Sequence, residues 1–436
     1  MLSVLNNRTY RHLFTAQVIA LVGTGLMTVA LGLLAYELAG ADAGAVLGTA
    51  LAIKMLAYAG VAPVAQAFAD RLPRRSLLVA LDLVRAAVAL CLPFVTEVWQ
   101  IYLLIFVLQA ASAGFTPTFQ ATIPDILPDE EDYTKALSLS RLAYDLESLI
   151  SPMLAAALLT VISFHNLFAG TVLGFLVSAA LVVSVRLPTT IPGPRRGIWD
   201  RTTRGTRIYL ATPRLRGLLA ISLAVSAAGA MVIVNTVVLV KARFGLGEVE
   251  VASALAAFGG GSMVAAFVLP SLLEKVADRT AMLTGATVLV VGTGIGALLP
   301  SYALLLPLWL IIGFGYSVAQ TPSGRLLRRS AHAEDRPAIF AAHFALSHAC
   351  WLICYPLAGR FGAVMGLPST FIVMSLVGLA GVALTLWLWP ASDPSDVVHD
   401  HPSLPPDHPH LRTHADQGRH HHQLILDDLH RIWPKG

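Results

Sequence analysis

The chain is poor in charge. Of its 436 residues only 13% are Asp, Glu, Lys or Arg, while 56% are hydrophobic, and the mean hydropathy is +0.69. A water-soluble domain carries about a quarter charged residues, so most of this chain is expected to face lipid or other helices. Cysteine is scarce as well. Cys91, Cys350 and Cys354 all sit in apolar stretches, which excludes a disulfide framework. There is no G-x-x-x-x-G-K-[ST] loop to cradle phosphates and no constellation of nucleophile, acid and base, so no enzyme is expected. The net charge of +4 matters less than where the basic residues fall, and nothing points to a nucleic-acid partner. The first apolar stretch follows Arg8 and Arg11 and runs to Tyr36. That is long enough to span a membrane, so it is expected to be a span and not a cleaved leader.

A span needs roughly 20 apolar residues. Twelve such segments are read, at 12–39, 45–69, 76–96, 99–120, 135–161 and 165–187, then 216–242, 250–273, 280–299, 302–324, 337–360 and 367–389. Only helices suit them, because the backbone must satisfy itself in lipid. The expected fold is therefore an all-α membrane protein with the lipid bilayer as its solvent. Lysine and arginine set its orientation. Arg8, Arg11, Arg71, Arg74, Arg75, Lys135, Arg325, Arg328, Arg329 and Arg336 fall at one set of ends, together with the Pro- and Arg-rich stretch 188–215. The opposite loops hold only Lys241, Arg243 and Arg360. The first set is expected to be cytoplasmic, and both termini with it. The basic stretch 188–215 is expected to lie against anionic headgroups.

The two halves repeat. Phe68-Ala69-Asp70-Arg71 follows span two, and Val276-Ala277-Asp278-Arg279 follows span eight. Thr116-Pro117 matches Thr321-Pro322, Glu131-Asp132 matches Glu334-Asp335, and Pro152 matches Pro356, at offsets of 203 to 205. The expected organisation is a six-helix bundle over 1–187, a linker over 188–215, a second bundle over 216–389 and a histidine-rich tail over 390–436, largely disordered. With the Asp70-Arg71-x-x-Arg74-Arg75 turn, this pattern resembles the major facilitator superfamily. Asp82-Leu83-Val84-Arg85 and Pro124-Asp125-Ile126-Leu127-Pro128 resemble its branch of siderophore and macrolide exporters. With the tail added, the chain resembles the Nre-type nickel-resistance permeases. The resemblance implies two pseudo-symmetric six-helix bundles in a bacterial inner membrane. It also implies a gate loop at Asp70, Arg71, Arg74 and Arg75, with Asp278 and Arg279 as its second-half copy.

Ionisable residues inside spans are costly and usually functional. Span five holds Arg141, Asp145 and Glu147, with Tyr144 beside them. By helical arithmetic Ser140, Tyr144, Glu147 and Ser151 share one face, while Arg141 and Asp145 share another and can pair. Asp82 and Arg85 can pair in the same way. In span eleven His343, Ser347, Cys350 and Cys354 share a face, and His348 points away from it. Imidazole, thiolate and carboxylate all suit a borderline divalent metal, so Glu147, Tyr144, Asp145, His343, His348, Cys350 and Cys354 are candidates for a path between the repeats.

Nine of the fourteen histidines lie in the tail: His399, His401, His408, His410, His414, His420, His421, His422 and His430. Prolines at 402, 405, 406 and 409 break any long helix there. The leading expectation is a secondary exporter of Ni²⁺, with Co²⁺ as a second cargo, working by proton antiport, conferring metal resistance and needing no resident cofactor. The tail would collect metal at the cytoplasmic mouth. An exporter of an organic molecule, siderophore or macrolide, is the alternative on the same fold. A metal-sensing membrane receptor is the alternative from another class.

Overall fold

A computed structural model describes residues 2–39, 43–69, 72–188, 197–392, 396–398, 415–416, 419–423, 425–426, 430 and 433. Twelve long helices answer to the twelve expected spans. The first half holds α1 (Arg8–Ala39), α2 (Ala43–Ala69), α3 (Arg74–Cys91), α4 (Val98–Ile126), α5 (Glu130–Leu159) and α6 (His165–Val183). A further helix, α7 (Ile198–Ala211), forms within the linker. The second half holds α8 (Pro213–Val238), α9 (Glu248–Leu273), α10 (Asp278–Gly296), α11 (Tyr302–Gln320), a short α12 (Ser323–Arg329), α13 (Arg336–Met365) and α14 (Leu367–Leu388). Among the described residues, nine helices are long and apolar enough to cross a membrane. Helix α5 is not one of them; it carries Arg141, Asp145 and Glu147 along its length and an acidic first turn.

Local chemistry fixes the helix ends. Asp129 caps α5, its carboxylate accepting from the Asp132 amide at 2.9 Å, and Glu130, Glu131 and Asp132 follow where the helix dipole favours anions. Glu97 and Gln100 form a capping box on α4. Gly366, at φ +77°, makes the turn from α13 into α14 that a side chain would resist.

The packing repeats across the halves. Helix α1 lies on α5 and α6, α2 on α4, and α3 on α4 and α6; correspondingly α8 lies on α13 and α14, α9 on α11, and α10 on α11 and α14. The halves meet where α5 packs on α9 and where α2 and α4 pack on α13. Backbones approach closely within the second half: a Cβ on Gly261 or Gly313 would fall 1.8 Å from the Leu310 or Phe258 carbonyl oxygen. Large apolar side chains such as Leu103, Phe267 and Leu379 cover the bundle exterior, as contact with hydrocarbon requires.

Of the tail, three short strands are described. They are β1 (Asp396–Val398), β2 (Ala415–Asp416) and β3 (Arg419–Gln423), paired antiparallel in the order β1-β3-β2. His420, His421 and His422 fall in β3. Leu426 is buried in the second-half core, His430 is buried, and the Trp433 ring lies 5.1 Å from the Arg214 guanidinium. His399, His401, His408, His410 and His414 lie outside the described residues, as do Asp70 and Arg71 of the expected gate loop.

Candidate functional site

The basic end of the bundle, where the arginines gather, is sewn shut across the halves. The Asp125 carboxylate at the end of α4 accepts from Arg74 of α3 and from Arg336 of α13, each at 2.6 Å. Arg325 of α12 reaches Glu130 at 2.6 Å and the Thr134 hydroxyl at 3.1 Å, both on α5, and lies 3.2 Å from Asp278. Arg328 donates to the Pro128 carbonyl. The second-half copy of the gate turn is thus partly engaged: Asp278 also lies 3.8 Å from Arg329, and Arg279 donates to the Trp389 carbonyl at 3.0 Å. Arg75 donates to the Val183 carbonyl within its own half.

Deeper in the bundle, Arg141 joins the halves again. It pairs with Asp145 one turn on, as the spacing predicts, at 2.5 Å. It then reaches across to the Ser262 hydroxyl of α9 at 3.0 Å and the Gln320 carbonyl of α11 at 3.3 Å, with its guanidinium 4.7 Å from the Tyr316 ring. The paired Asp82 and Arg85 are structural: Ser178 donates to Asp82 at 2.8 Å, and Arg85 is sandwiched between Phe115 and Phe175.

At mid-bundle α1, α2, α5 and α13 bring together a polar and aromatic cluster. Glu147 reaches α1, where its Oε1 would sit 2.9 Å from a Cβ on Gly25; glycine makes that room. Lys54 of α2 lies within Coulombic range of Glu147 and 5.6 Å from the Tyr58 ring. Tyr58 packs against Phe344 and, edge-on, against His348, both at 4.8 Å between centroids. His348 donates from Nδ1 to the Phe344 carbonyl at 2.7 Å. Ser140 bonds Gln17 of α1 at 3.3 Å, and Gln17 also bonds Tyr144. It is therefore His348, and not the stripe of His343, that packs against the first half.

His343 and Ser347 instead line a narrow crevice inside the second half, between α8, α11 and α13, with Ser222, Gln320 and Trp351. His343 Nδ1 lies 3.0 Å from the Tyr209 hydroxyl of α7, and the two rings stack. Helix α7 is docked there firmly: Arg204 donates twice to Asp335, at 2.6 and 2.7 Å, and a Cβ on Gly205 would lie 2.1 Å from the Ala338 carbonyl oxygen. Burial holds the Tyr209 hydroxyl protonated, well above the ordinary phenol range.

Among the described residues no three His, Cys, Asp or Glu side chains lie close enough to hold an ion. Helix α5 turns Glu147 toward α1, Cys354 turns into the second-half core, and Cys350 is buried beside it. His343 meets Tyr209 of α7 and lines the second-half crevice, and Cys354 joins the second-half core, whereas Glu147 lies against Gly25 of α1. Sequence reading also missed Lys54 as the cation near Glu147, although it is the only Lys or Arg within α2.

The chain matches the family model described as Major Facilitator Superfamily over residues 13–247 and 219–406. It is similar to Macrolide efflux protein A of Streptococcus pyogenes, at 27% identity over 181 residues, 40% of this chain and 44% of that protein. The match thus spans under half the length of that curated relative. Among solved structures it is similar to the human organic anion transporter MFSD10, with a TM-score of 0.76 at 14% identity, covering 87% of this chain and 99% of that one. It is also similar to a bacterial homologue of the iron transporter ferroportin in an outward-facing state, with a TM-score of 0.68 at 14% identity, covering 86% and 97%. Likeness at that identity shows the fold. The relatives include macrolide efflux proteins and not the nickel-resistance permeases that the tail suggested. With the family model covering both bundles, this chain is a transporter and belongs to the Major Facilitator Superfamily.

Proposed function

We propose that the chain exports an organic, amphipathic molecule of the macrolide class from the cytoplasm by alternating access of its two halves. The observation that carries this is the mid-bundle cluster: one carboxylate, one lysine and a wall of aromatic rings at the seam between halves, with no group of three metal ligands among the described residues. The efflux function in the name of the Streptococcus pyogenes relative supports it. In this reading the basic end is cytoplasmic and closed, and the seam at Asp125, Arg325 and Arg336 opens to admit cargo. Glu147 carries the coupling. As a carboxylate it is attracted to Lys54; once it takes a proton that attraction ends, and α2 and α5, which pack on α13 and α9 of the other half, can shift against each other.

Export of Ni²⁺ or Co²⁺ against protons is the second reading, favoured by the histidine-rich tail. One experiment separates the two. Cells with and without the protein are loaded with labelled erythromycin or with Ni²⁺ and Co²⁺, and retained cargo is measured. Lower retention of erythromycin alone is expected. Lower retention of the metals alone would replace the organic reading with the metal one.

A further inference from the structure

Tyr209 belongs to the linker helix, yet its hydroxyl ends in the crevice of the second half. The residue is fully buried, and among the described residues its hydroxyl has one hydrogen-bond partner, His343 Nδ1 at 3.0 Å. A buried hydroxyl proton left without an acceptor costs about 1–3 kcal/mol. Tyr209 therefore donates, and Nδ1 accepts. A neutral imidazole has one acceptor nitrogen and one donor nitrogen, so the proton of His343 sits on Nε2. The second nitrogen belongs to a ring that lines the crevice with Ser222, Gln320 and Ser347, all neutral hydrogen-bonding groups, beside the Trp351 indole. No Asp, Glu, Lys or Arg lines it.

We propose that this crevice is a substrate subsite in which His343 donates a hydrogen bond from Nε2 to a neutral oxygen of the cargo, and that Tyr209 of the linker helix sets the imidazole in that donor form. The ligand class is an oxygen-rich, uncharged portion of an organic molecule: a lactone or ketone carbonyl, an ether or a hydroxyl. A cation gains nothing from a donor nitrogen, so the same geometry disfavours a metal at this nitrogen. The subsite rests on the organic-export reading above. Its place fits the gate. His343 lies seven residues, about two turns, inward of Arg336 on α13. The helix that closes the basic end through Asp125 thus also carries the donor.

Tyr209 is here a positioning residue and His343 a binding one. The test uses the full-length protein in nanodiscs with erythromycin as probe. In ¹⁵N-histidine spectra the resonances lost in His343→Leu identify the ring. Wild-type protein should show the Nε2–H tautomer, and Tyr209→Phe should move the population toward Nδ1–H. In proteoliposomes Tyr209→Phe should raise KM for erythromycin about three- to tenfold with little change in maximal rate, the size of one neutral hydrogen bond. In a His343→Leu background the same change should add nothing further. An Nδ1–H wild-type ring, or a Tyr209→Phe protein with wild-type tautomer and KM, overturns the arrangement. Wild-type protein that binds no erythromycin overturns the organic cargo, while the spectra decide the Tyr209–His343 arrangement independently.

Discussion

The two halves share a packing plan and differ in where they place charge. The first half keeps Lys54, Asp82, Arg85, Arg141, Asp145 and Glu147 well inside its spans. The second half confines Asp, Glu, Lys and Arg to helix ends and offers neutral groups inside: Asn235, Ser262, Gln320, His343 and His348. Charge in a membrane interior is expensive and must be matched. The first half matches its own by pairing within helices and then leans on the second, as Arg141 does on Ser262 and Gln320. Its apolar core is split into separate patches, whereas most of the second half's buried side chains join one large cluster running from Leu215 to Leu426, with a smaller one around Ala265, Leu269 and Val318. The contrast suggests a division of labour: a charged half that responds to ions, and a rigid neutral half that recognises cargo.

The sharpest way to break that contrast is Glu147→Gln, which keeps shape and removes charge. Export should fall more than about tenfold and lose its dependence on a proton gradient, since a difference of 1.4 kcal/mol already equals a factor of ten. Proteoliposome flux with and without the gradient reads this out, and undiminished flux would remove ion response from the first half. Next in size is Gly205→Ala. Its Cβ would collide with the Ala338 carbonyl, so α7 must lift from α13. A loss of about 1–3 kcal/mol in stability, read as a lower unfolding temperature, should come with weaker erythromycin binding. A wild-type melting curve would show that the linker is not part of the rigid half.

A smaller effect is expected from Asp125→Asn. It removes the negative charge and one of the two accepting oxygens: Arg336 donates to Oδ1 and Arg74 to Oδ2, and the amide nitrogen that replaces one of them cannot accept. Spin labels on the basic ends of α4 and α13 should report a larger open fraction, with turnover changed a few-fold. The smallest effect on export belongs to removal of the tail after Ala391. Erythromycin flux should stay within about twofold, while the loss of Leu426 from the core lowers stability by about 1.5–3 kcal/mol, a buried leucine's contribution. Abolished flux from a stably inserted truncation would place the tail in the pathway.

The helices were legible because a long apolar run in lipid has no other outcome. Pairs within one helix were legible too: Asp82 with Arg85 and Arg141 with Asp145 form as their spacing predicts. Pairs between helices were not. Spacing gives the direction in which a side chain leaves its own helix but not which helix stands there, so Glu147 and His343 were read as lining one path, and the Lys54 charge acting on Glu147 was not foreseen. Helix α7 was hidden in a segment whose prolines and arginines read as loop, although its fourteen residues after Gly197 carry neither proline nor an interior break. The histidines drew attention to metal because composition is visible in sequence, whereas the convergence of ligands is a property of packing.

Asp125 is held twice, once by Arg74 of its own half and once by Arg336 of the other. When the halves part at the basic end, only Arg336 departs. The carboxylate is never left bare, and the seam behaves as a make-before-break contact whose standing connection survives the switching. At Asp125 parting then forfeits one of two ion pairs and strands no bare carboxylate, which would cost several kcal/mol if left buried. At this one residue the latch exchanges partners without leaving a charge unpaired, the kind of step that suits domain rearrangements on the microsecond to millisecond scale.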